Sequence, residues 1–191
     1  MKTSEIKVAQ NEAIQLRERL RKAGWKDHLK ALKLMDRRSQ LLVAGALDIC
    51  DNSDINLLKP DERRGIAVAV RSIPFIDAQA LKDVLEKDGA FFKELHPLWL
   101  LKVLPNMPAA HLSILTHSKG PCHTACGDRG GLAVFEQACI ELDAGFADTM
   151  IYAHVFTRQD IEHVICCVLQ KGSGFDAIPN SEESLCRLLN C

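Results

Sequence analysis

The sequence predicts an α/β fold with layered helices and strands, and three segments of the 191-residue chain support this prediction. Residues 65–70 are a continuous apolar run, which is typical of a strand buried on both faces of a parallel sheet. Residues 130–144 place apolar side chains three and four positions apart, as an amphipathic helix does, and Gly145 suits the position after its end. Residues 149–156 form a second strand-like run. Strands that alternate with helices in this way indicate an α/β domain.

The remaining segments are mostly helical by the same spacing. We expect helices over residues 4–23, 29–34, 77–87 and 158–170, and a helix that Asp36 caps and that continues to Cys50. The pattern leaves residues 111–115 open between helix and strand, and residues 122–126 are too short to assign. We therefore expect residues 1–32 to form a helical extension and residues 33–191 to form one globular unit.

Composition excludes several classes of function. There are 24 basic and 25 acidic residues, so no excess of positive charge favours nucleic acid or an anionic membrane. The local basic group Arg17, Arg19, Arg21 and Lys22 is read as a solvated helix face. No apolar run spans a membrane, and the first residues lack the apolar core of a secretory signal, which predicts a cytoplasmic protein. The eight cysteines are then expected to be small buried side chains rather than disulfides.

Three motifs occur in a fixed order along the chain. The first is Met35-Asp36-Arg37 at the start of a predicted helix. The second is Pro105-Asn106-Met107 with Ala110 four residues after Asn106. The third combines a glycine-proline turn with the helix that follows it: Gly120, Pro121, Gly131, Leu132, Ala133, Ala138, Gly145, Ala147 and Asp148. In order and spacing, these motifs over residues 33–155 resemble the N-terminal half of a β-ketoacyl synthase, which has the thiolase-type fold.

That resemblance implies a layered α-β-α half-ketosynthase domain with a nucleophilic cysteine at the turn between a strand and a helix. Counting back from Gly145 places this position at Asp128, and counting forward from Gly120 places it at Arg129. Neither residue is cysteine. Thr124-Ala125-Cys126 repeats the family's Thr-Ala-Cys triplet, which leaves Cys126 as an alternative nucleophile if the strand is shortened. A pair between Asp128 and Arg129 that plugs the vacated pocket is one hypothesis, and an exposed turn is the other.

The resemblance also places the family's catalytic histidines, and usually a lysine, in a C-terminal half that the 191 residues do not include. His154 and His163 match none of those motifs; we expect His154 to be a core or edge histidine in a strand and His163 to lie exposed on a helix. The family's first strand is expected to be missing. Chain-length factors are ketosynthase relatives without the cysteine that pair with a catalytic ketosynthase, although they usually carry glutamine at that position.

Other chemistry has weaker support. Cys122, His123 and Cys126 form a C-H-x-x-C cluster, but a zinc site usually needs a second pair of ligands, so no metal is predicted. Gly127, Gly130 and Gly131 lack the lysine of a phosphate-binding loop, and we expect them to form a packed strand-to-helix elbow instead. No G-x-S-x-G elbow occurs. No cofactor is implied.

Partners follow from the resemblance. Ketosynthases bury large dimer interfaces along the strand and helix around the nucleophile, so we expect a heterodimer with a catalytic ketosynthase first and a homodimer second, with acyl carrier protein as a further partner. The pocket and interface candidates are Asn106, Met107, Leu112, Ile114 and Phe135. The leading hypothesis is a non-catalytic, chain-length-factor-like subunit of a type II polyketide or fatty-acid synthase. The alternatives are an acyltransferase or thioesterase-like enzyme that uses Cys126, and a scaffold protein without an acyl pocket.

Overall fold

The computed structural model describes residues 2–7, 16, 18, 20–22, 26–51, 56, 59–70, 104–158, 161–172 and 179–189. The predicted helix over residues 77–87 and most of the apolar segment 97–104 lie outside these residues. The strands are β1 (Lys2–Lys7), β2 (Arg64–Val70), β3 (Cys122–Cys126), β4 (Thr149–Arg158) and β5 (Ile161–Gln170). The helices are a 3₁₀ helix (Lys26–Lys33), α1 (Arg37–Asp51), α2 (Met107–Leu115), α3 (Gly130–Asp143) and α4 (Glu182–Leu188).

The strands form one mixed sheet in the order β1-β5-β4-β2-β3. β2 pairs in parallel with β3 and with β4, whereas β5 pairs antiparallel with β4 and with β1. All seven residues of β2 are buried, as expected for a strand with a parallel neighbour on each side and a helical layer on each face. Within the described sheet β3 has a strand neighbour on one side only.

Two apolar cores lie on opposite faces of this sheet, which confirms the layered α-β-α fold. The first core joins α1 and α2 to side chains such as Ile66, Val68 and Val155. The second core joins α3 and α4 to the alternate residues of the same strands, such as Ala67, Ala69 and Tyr152. The alternation of side chains along a strand explains why neighbouring residues belong to different cores.

Several helix ends carry the caps that the sequence predicts. The Asp36 carboxylate accepts a hydrogen bond from the backbone N–H of Ser39 at 2.8 Å, which caps the start of α1. After α3, Gly145 adopts a positive φ of 76°. Its N–H bonds to the carbonyl of Leu142 at 3.2 Å, and that of Phe146 bonds to Glu141 at 2.9 Å. These are the two bonds of a Schellman motif, which satisfies the last carbonyls of the helix.

Arg64 begins β2 and is almost completely buried, with 3% of its surface exposed. Its guanidinium donates to the carbonyl oxygens of Lys59 at 2.7 Å and Thr116 at 2.9 Å. It also donates to the carbonyl of Asn56 at 3.3 Å and to the Ser118 hydroxyl at 3.2 Å. One side chain thus ties the loop before β2 to the loop between α2 and β3.

The predicted helix over residues 158–170 is wrong, because residues 161–170 form β5. Residues 164–169 are all buried, so the segment has no polar face to reveal a period of two. A short apolar run of this kind does not separate a buried strand from a buried helix. Its β-branched residues, Val164, Ile165 and Val168, favour the strand, and pairing with β4 fixes it.

The predicted helix over residues 4–23 is also wrong in its first part. Lys2–Lys7 form β1, which pairs with β5 and covers that edge of the sheet, so an N-terminal strand is present rather than missing. Helical geometry holds at residues 16, 18 and 20–22. Leu16 and Leu20 pack in the first core together with Leu32 of the 3₁₀ helix. The apolar spacing of three to four residues gave a wrong prediction at the N-terminus, because backbone pairing with β5 outweighed a weak local preference for helix.

An exposed ion pair joins the residue before β2 to the residue before β4, and the same arginine contacts the turn after α3. Arg63 donates from Nε to Asp148 Oδ2 at 2.5 Å and from Nη2 to Oδ1 at 2.7 Å, and Nη2 also donates to the carbonyl of Gly145 at 2.9 Å. The hydrogen bonds from Arg63 hold the pKa of the Asp148 carboxyl below its ordinary value. This bidentate geometry is the strongest form of a carboxylate–guanidinium contact.

The Asp148 pair predicts a pH-dependent contribution to stability. Because the folded-state pKa of Asp148 is lowered, the stabilisation is present above the unfolded pKa of about 4 and is lost as the pH falls through the folded value. Urea titrations of the wild type and Asp148→Asn should therefore differ most near neutrality and converge in acid. Glu183→Gln, which removes the exposed pair with Arg187, is the control. A difference that stays constant down to pH of about 2.5 would contradict this assignment.

Candidate functional site

The candidate site is the sharp bend between β3 and α3. Cys126 is the last residue of β3 and pairs with Val70 of β2. Gly127, Asp128 and Arg129 form the bend, and α3 begins at Gly130. The Gly127 N–H donates to the carbonyl of Val70 at 3.2 Å, and the N–H of Gly130 donates to the carbonyl of Gly127 at 3.0 Å. These two bonds fix the direction in which the chain leaves the sheet.

Two glycines make this bend possible. Gly127 has a φ of 103°, which side chains with a Cβ rarely adopt. Gly130 lets α3 begin directly on β3, since a Cβ there would lie 3.3 Å from the carbonyl oxygen of Ala125. The sequence predicted a packed strand-to-helix elbow from these glycines, and the structure confirms it.

Replacement of Gly127 by alanine should destabilise the protein by about 1–2 kcal/mol. The cost comes from backbone strain, because a Cβ at this position meets no atom of the described residues within 4 Å. Gly127→Asn is the matched variant and should lose less, since asparagine tolerates positive φ better than alanine. Urea unfolding of both variants measures the difference. Equal losses for the two substitutions would show that strain at Gly127 is not the cause.

Cys126 lies immediately before the bend, and its side chain is exposed. Burial of part of the thiol raises its pKa above the ordinary value, and no neighbouring cation within the described residues lowers it. A reactive cysteine needs the reverse shift, because the thiolate is the nucleophile. Among the described residues, nothing therefore lowers the pKa of Cys126.

Cys126 and His154 lie on opposite faces of the sheet. Ala125 packs against the second core, and Ala125, Ala69 and His154 are opposite one another across three strands. Cys126 is one residue further along β3, in the row of Val70 and Val155, both of which belong to the first core. A hydrogen-bonded Cys–His pair between Cys126 and His154 is incompatible with this register.

His154 and His163, the two histidines singled out in the sequence, occupy different environments. His154 is buried in β4, as predicted, and its ring lies 5.2 Å from that of Phe156. His163 lies on β5 rather than on a helix, and it is half-buried because its ring stacks on Phe156 at 5.3 Å. The expectation of an exposed helical His163 is wrong for the same reason as the helix that contained it.

Asp128 and Arg129 both lie on the bend with exposed side chains. This contradicts the hypothesis that they form a buried pair that plugs a vacated pocket. Arg129 occupies the cap position of α3 without capping it through its side chain. The exposed turn is the correct alternative.

The pocket and interface candidates separate into two groups. Leu112 and Phe135 are fully buried, at 0% exposure, in the first and second core respectively. Asn106 is exposed at the start of α2, and Met107 beside it is half-buried. Ile114 is 58% exposed on the same helix. Of these five candidates, only the second group presents side-chain area to another molecule.

The sequence did not anticipate a polar cluster on β3. His123 Nε2 lies 2.9 Å from Glu141 Oε1, and the Gln137 amide donates to the same oxygen at 2.9 Å. Alternation along β3 places His123 toward α3, on the face opposite to Cys122 and Cys126, which separates the members of the C-H-x-x-C motif. Within the described part of the chain, no three or more His, Cys, Asp or Glu residues converge as metal ligands. In the sequence, the cluster could have been anticipated from Gln137 and Glu141, two polar residues four positions apart on α3.

Solved ketosynthases share this fold. The ishigamide ketosynthase/chain length factor has a TM-score of 0.58 at 17% identity, over 74% of this chain and 45% of that chain. An AntDE:AntF structure, a type II polyketide acyl-carrier protein in complex with its ketosynthase, has a TM-score of 0.62 at 14% identity, over 75% and 49% of the two chains. The ketosynthase from module 6 of the bacillaene synthase of Bacillus subtilis 168 has a TM-score of 0.55 at 12% identity, over 75% and 25%.

These matches establish a partial ketosynthase-like, thiolase-type fold. The matched region spans about half the length of the first two solved chains. No protein-family model and no curated protein sequence matches the chain. None of the helices among the described residues is long and apolar enough to cross a lipid bilayer.

Proposed function

We propose that this chain is a non-catalytic ketosynthase-like subunit, of the chain-length-factor type, in a type II polyketide or fatty-acid synthase system. It pairs with a catalytic ketosynthase and shapes or stabilises that enzyme's site. The observation that carries the proposal is the bend after β3. It presents Asp128 and Arg129 where the resemblance places a nucleophile, and the nearby Cys126 has no activating cation among the described residues.

The edge of the sheet at β3, which has no strand beyond it among the described residues, supports a protein partner. β3 pairs with β2 alone within the described sheet, and its outer residues, Cys122 and Cys126, are exposed. Residues 122–126 contain none of the lysines or prolines that usually protect an edge strand from pairing. The solved relatives add a second support, since one is a ketosynthase/chain length factor and another is a ketosynthase complex with an acyl-carrier protein.

Co-expression with a catalytic ketosynthase tests the pairing. We expect the two chains to co-purify as a stable complex in size-exclusion chromatography. Ile114→Glu should weaken that complex by about tenfold or more, because it places a charge at an exposed interface candidate. Leu188→Glu is the matched control, since Leu188 is 38% exposed on α4, outside the strand and helix that flank the bend, and should leave pairing unchanged. Separate elution of the two wild-type chains, or a homodimer only, contradicts the heterodimer.

The second candidate is an acyltransferase or thioesterase-like enzyme that accepts an acyl group on Cys126. The exposure of this thiol beside the bend favours it. The step would transfer the acyl carbonyl from the sulfur of a carrier thioester to the Cys126 sulfur and release the carrier thiol. Its raised pKa opposes the reaction, because little thiolate is present near neutrality. Acyl loading of the purified chain distinguishes the two functions.

A further inference from the structure

The outer side of α3 carries a line of mostly small and apolar residues, here called the α3 stripe. It consists of Ala133, Gln137, Ile140 and Ala144, which follow one another at intervals of four, three and four residues. Residues at these intervals lie on one side of a helix. The three apolar members are exposed, Ile140 by 53%, and Gln137 is half-buried. The buried side chains of α3 lie on its other side, in the second core.

Phe146 continues this line beyond the end of α3. It is 66% exposed and follows Gly145 in the Schellman motif. In that motif the side chain at this position commonly packs toward the last turns of the helix, where Ile140 lies. Two large exposed side chains in line with small ones form a contiguous apolar patch, and such a patch marks an interaction site.

The α3 stripe is complementary to itself when two copies of the helix run antiparallel. With Gln137 near the middle, Ala133 of one copy lies opposite Ile140 of the second copy. A twofold axis repeats the same pair in the opposite sense. A small side chain that faces a large one lets the two helices pack closely. One polar residue in the middle of an apolar stripe favours this register over a shifted one.

The charges at the two ends of α3 match in the same arrangement. Arg129 is exposed just before the helix, and Asp143 is exposed in its last turn. Antiparallel alignment brings Arg129 of one copy level with Asp143 of the second copy, whereas parallel alignment would bring like charges together. The acidic residues beside the stripe, Glu136 and Asp143, oppose binding to an anionic membrane. Size and charge therefore both favour a second copy as the occupant.

We propose that the α3 stripe is a docking surface for a second copy of this chain, with the two α3 helices antiparallel across a twofold axis. The second copy then contributes Phe146 beside the bend, because the end of its helix lies level with the start of the first. At the bend Arg129 is exposed, and a Cβ on Gly127 would have no described atom within 4 Å. An arginine beside an aromatic ring adds a favourable contact, so each copy covers the bend of the other.

This self-association goes beyond the proposed function and does not depend on it. The pairing with a catalytic ketosynthase was assigned to Ile114 on α2 and to the edge of the sheet at β3. Helix α2 packs in the first core, whereas α3 packs in the second core on the other face of the sheet. The two proposals therefore give opposite expectations for substitutions at Ile114 and Ile140.

Analytical ultracentrifugation of the isolated chain tests the docking surface. We expect a dimer with a dissociation constant on the order of 10 µM, because the contact is about one helix of 21 Å in length. Ile140→Glu should raise this constant at least about tenfold, since it places a charge inside an apolar contact. Ile114→Glu, at an isoleucine with 58% exposure, is the matched control and should change it by less than about twofold.

An exchange of charges tests the antiparallel alignment. Arg129→Asp and Asp143→Arg should each weaken the dimer at least about threefold, because each places like charges opposite one another. The double variant Arg129→Asp/Asp143→Arg should return the dissociation constant to within about twofold of the wild-type value. Each residue acting only within its own chain would give no such rescue, and absence of the rescue would overturn the alignment.

Two further results would overturn the docking surface. One is a wild-type chain that remains monomeric at about 100 µM. The other is a dimer that Ile114→Glu disrupts and Ile140→Glu leaves intact, because self-association would then use α2. A chain that pairs with the ketosynthase but does not self-associate would overturn this inference and leave the proposed function standing. Self-association through α3 without ketosynthase pairing would support the inference and contradict the proposed function.

Discussion

Arg64→Met should lower the free energy of unfolding by about 3 kcal/mol or more. The substitution keeps an apolar stem of similar length but removes every donor. The carbonyls of Lys59 and Thr116 and the Ser118 hydroxyl then lose a charged partner in a buried place. Loss of one partner from a buried polar cluster costs far more than loss of an exposed contact, because the groups left behind are cut off from water.

The neighbouring arginine is the matched control. Arg63 makes its contacts at the surface, with half of its side chain exposed, so Arg63→Met should have a small effect. Urea titrations followed by circular dichroism measure both variants. Similar losses for Arg63→Met and Arg64→Met would show that the Arg64 cluster does not hold the two loops together.

The second large effect is expected at Leu112. Leu112→Ala should destabilise the protein by about 3 kcal/mol, through lost burial and the cavity left in the first core. Ile114→Ala, two residues further along α2, should change the free energy of unfolding very little, because most of that side chain is already in water. The comparison separates a core residue from an interface candidate on one helix.

The two substitutions should behave in the opposite way in ketosynthase pairing. Ile114→Ala should weaken the complex while the isolated chain stays stable. Leu112→Ala should leave the affinity of the remaining folded protein near that of the wild type. If Leu112→Ala weakens pairing without loss of stability, then Leu112 contacts the partner and its place in the core has been misjudged.

The sequence predicted the elements whose polar and apolar positions differ clearly. α1 was predicted from the Asp36 cap, β2 from a continuous apolar run, and α3 from its apolar spacing and Gly145. In each case the local preference and the tertiary environment agree. The ketosynthase-like fold followed from the order of three short motifs, and the solved relatives support it.

The sequence failed where pairing between distant segments decides the structure. The paired residues of β1 and β5 are between 156 residues apart, at Lys7 and His163, and 166 residues apart, at Lys2 and Val168. Each strand nevertheless fixes the other through backbone hydrogen bonds. No local pattern reports such a contact. For the same reason, the sequence could not predict which face of the sheet each residue of β3 occupies. The positions of Cys126 and His154 depend on how β3 and β4 are aligned with β2.

Intact-mass measurement after acyl loading tests the central claim most directly. The complex of this chain with a catalytic ketosynthase is incubated with an acyl-loaded carrier protein. The intact masses of this chain and of the ketosynthase are then measured. The non-catalytic subunit proposed here should gain no acyl mass, while the ketosynthase gains one acyl group. An acyl adduct on this chain that disappears in Cys126→Ala would contradict the account and make Cys126 a nucleophile.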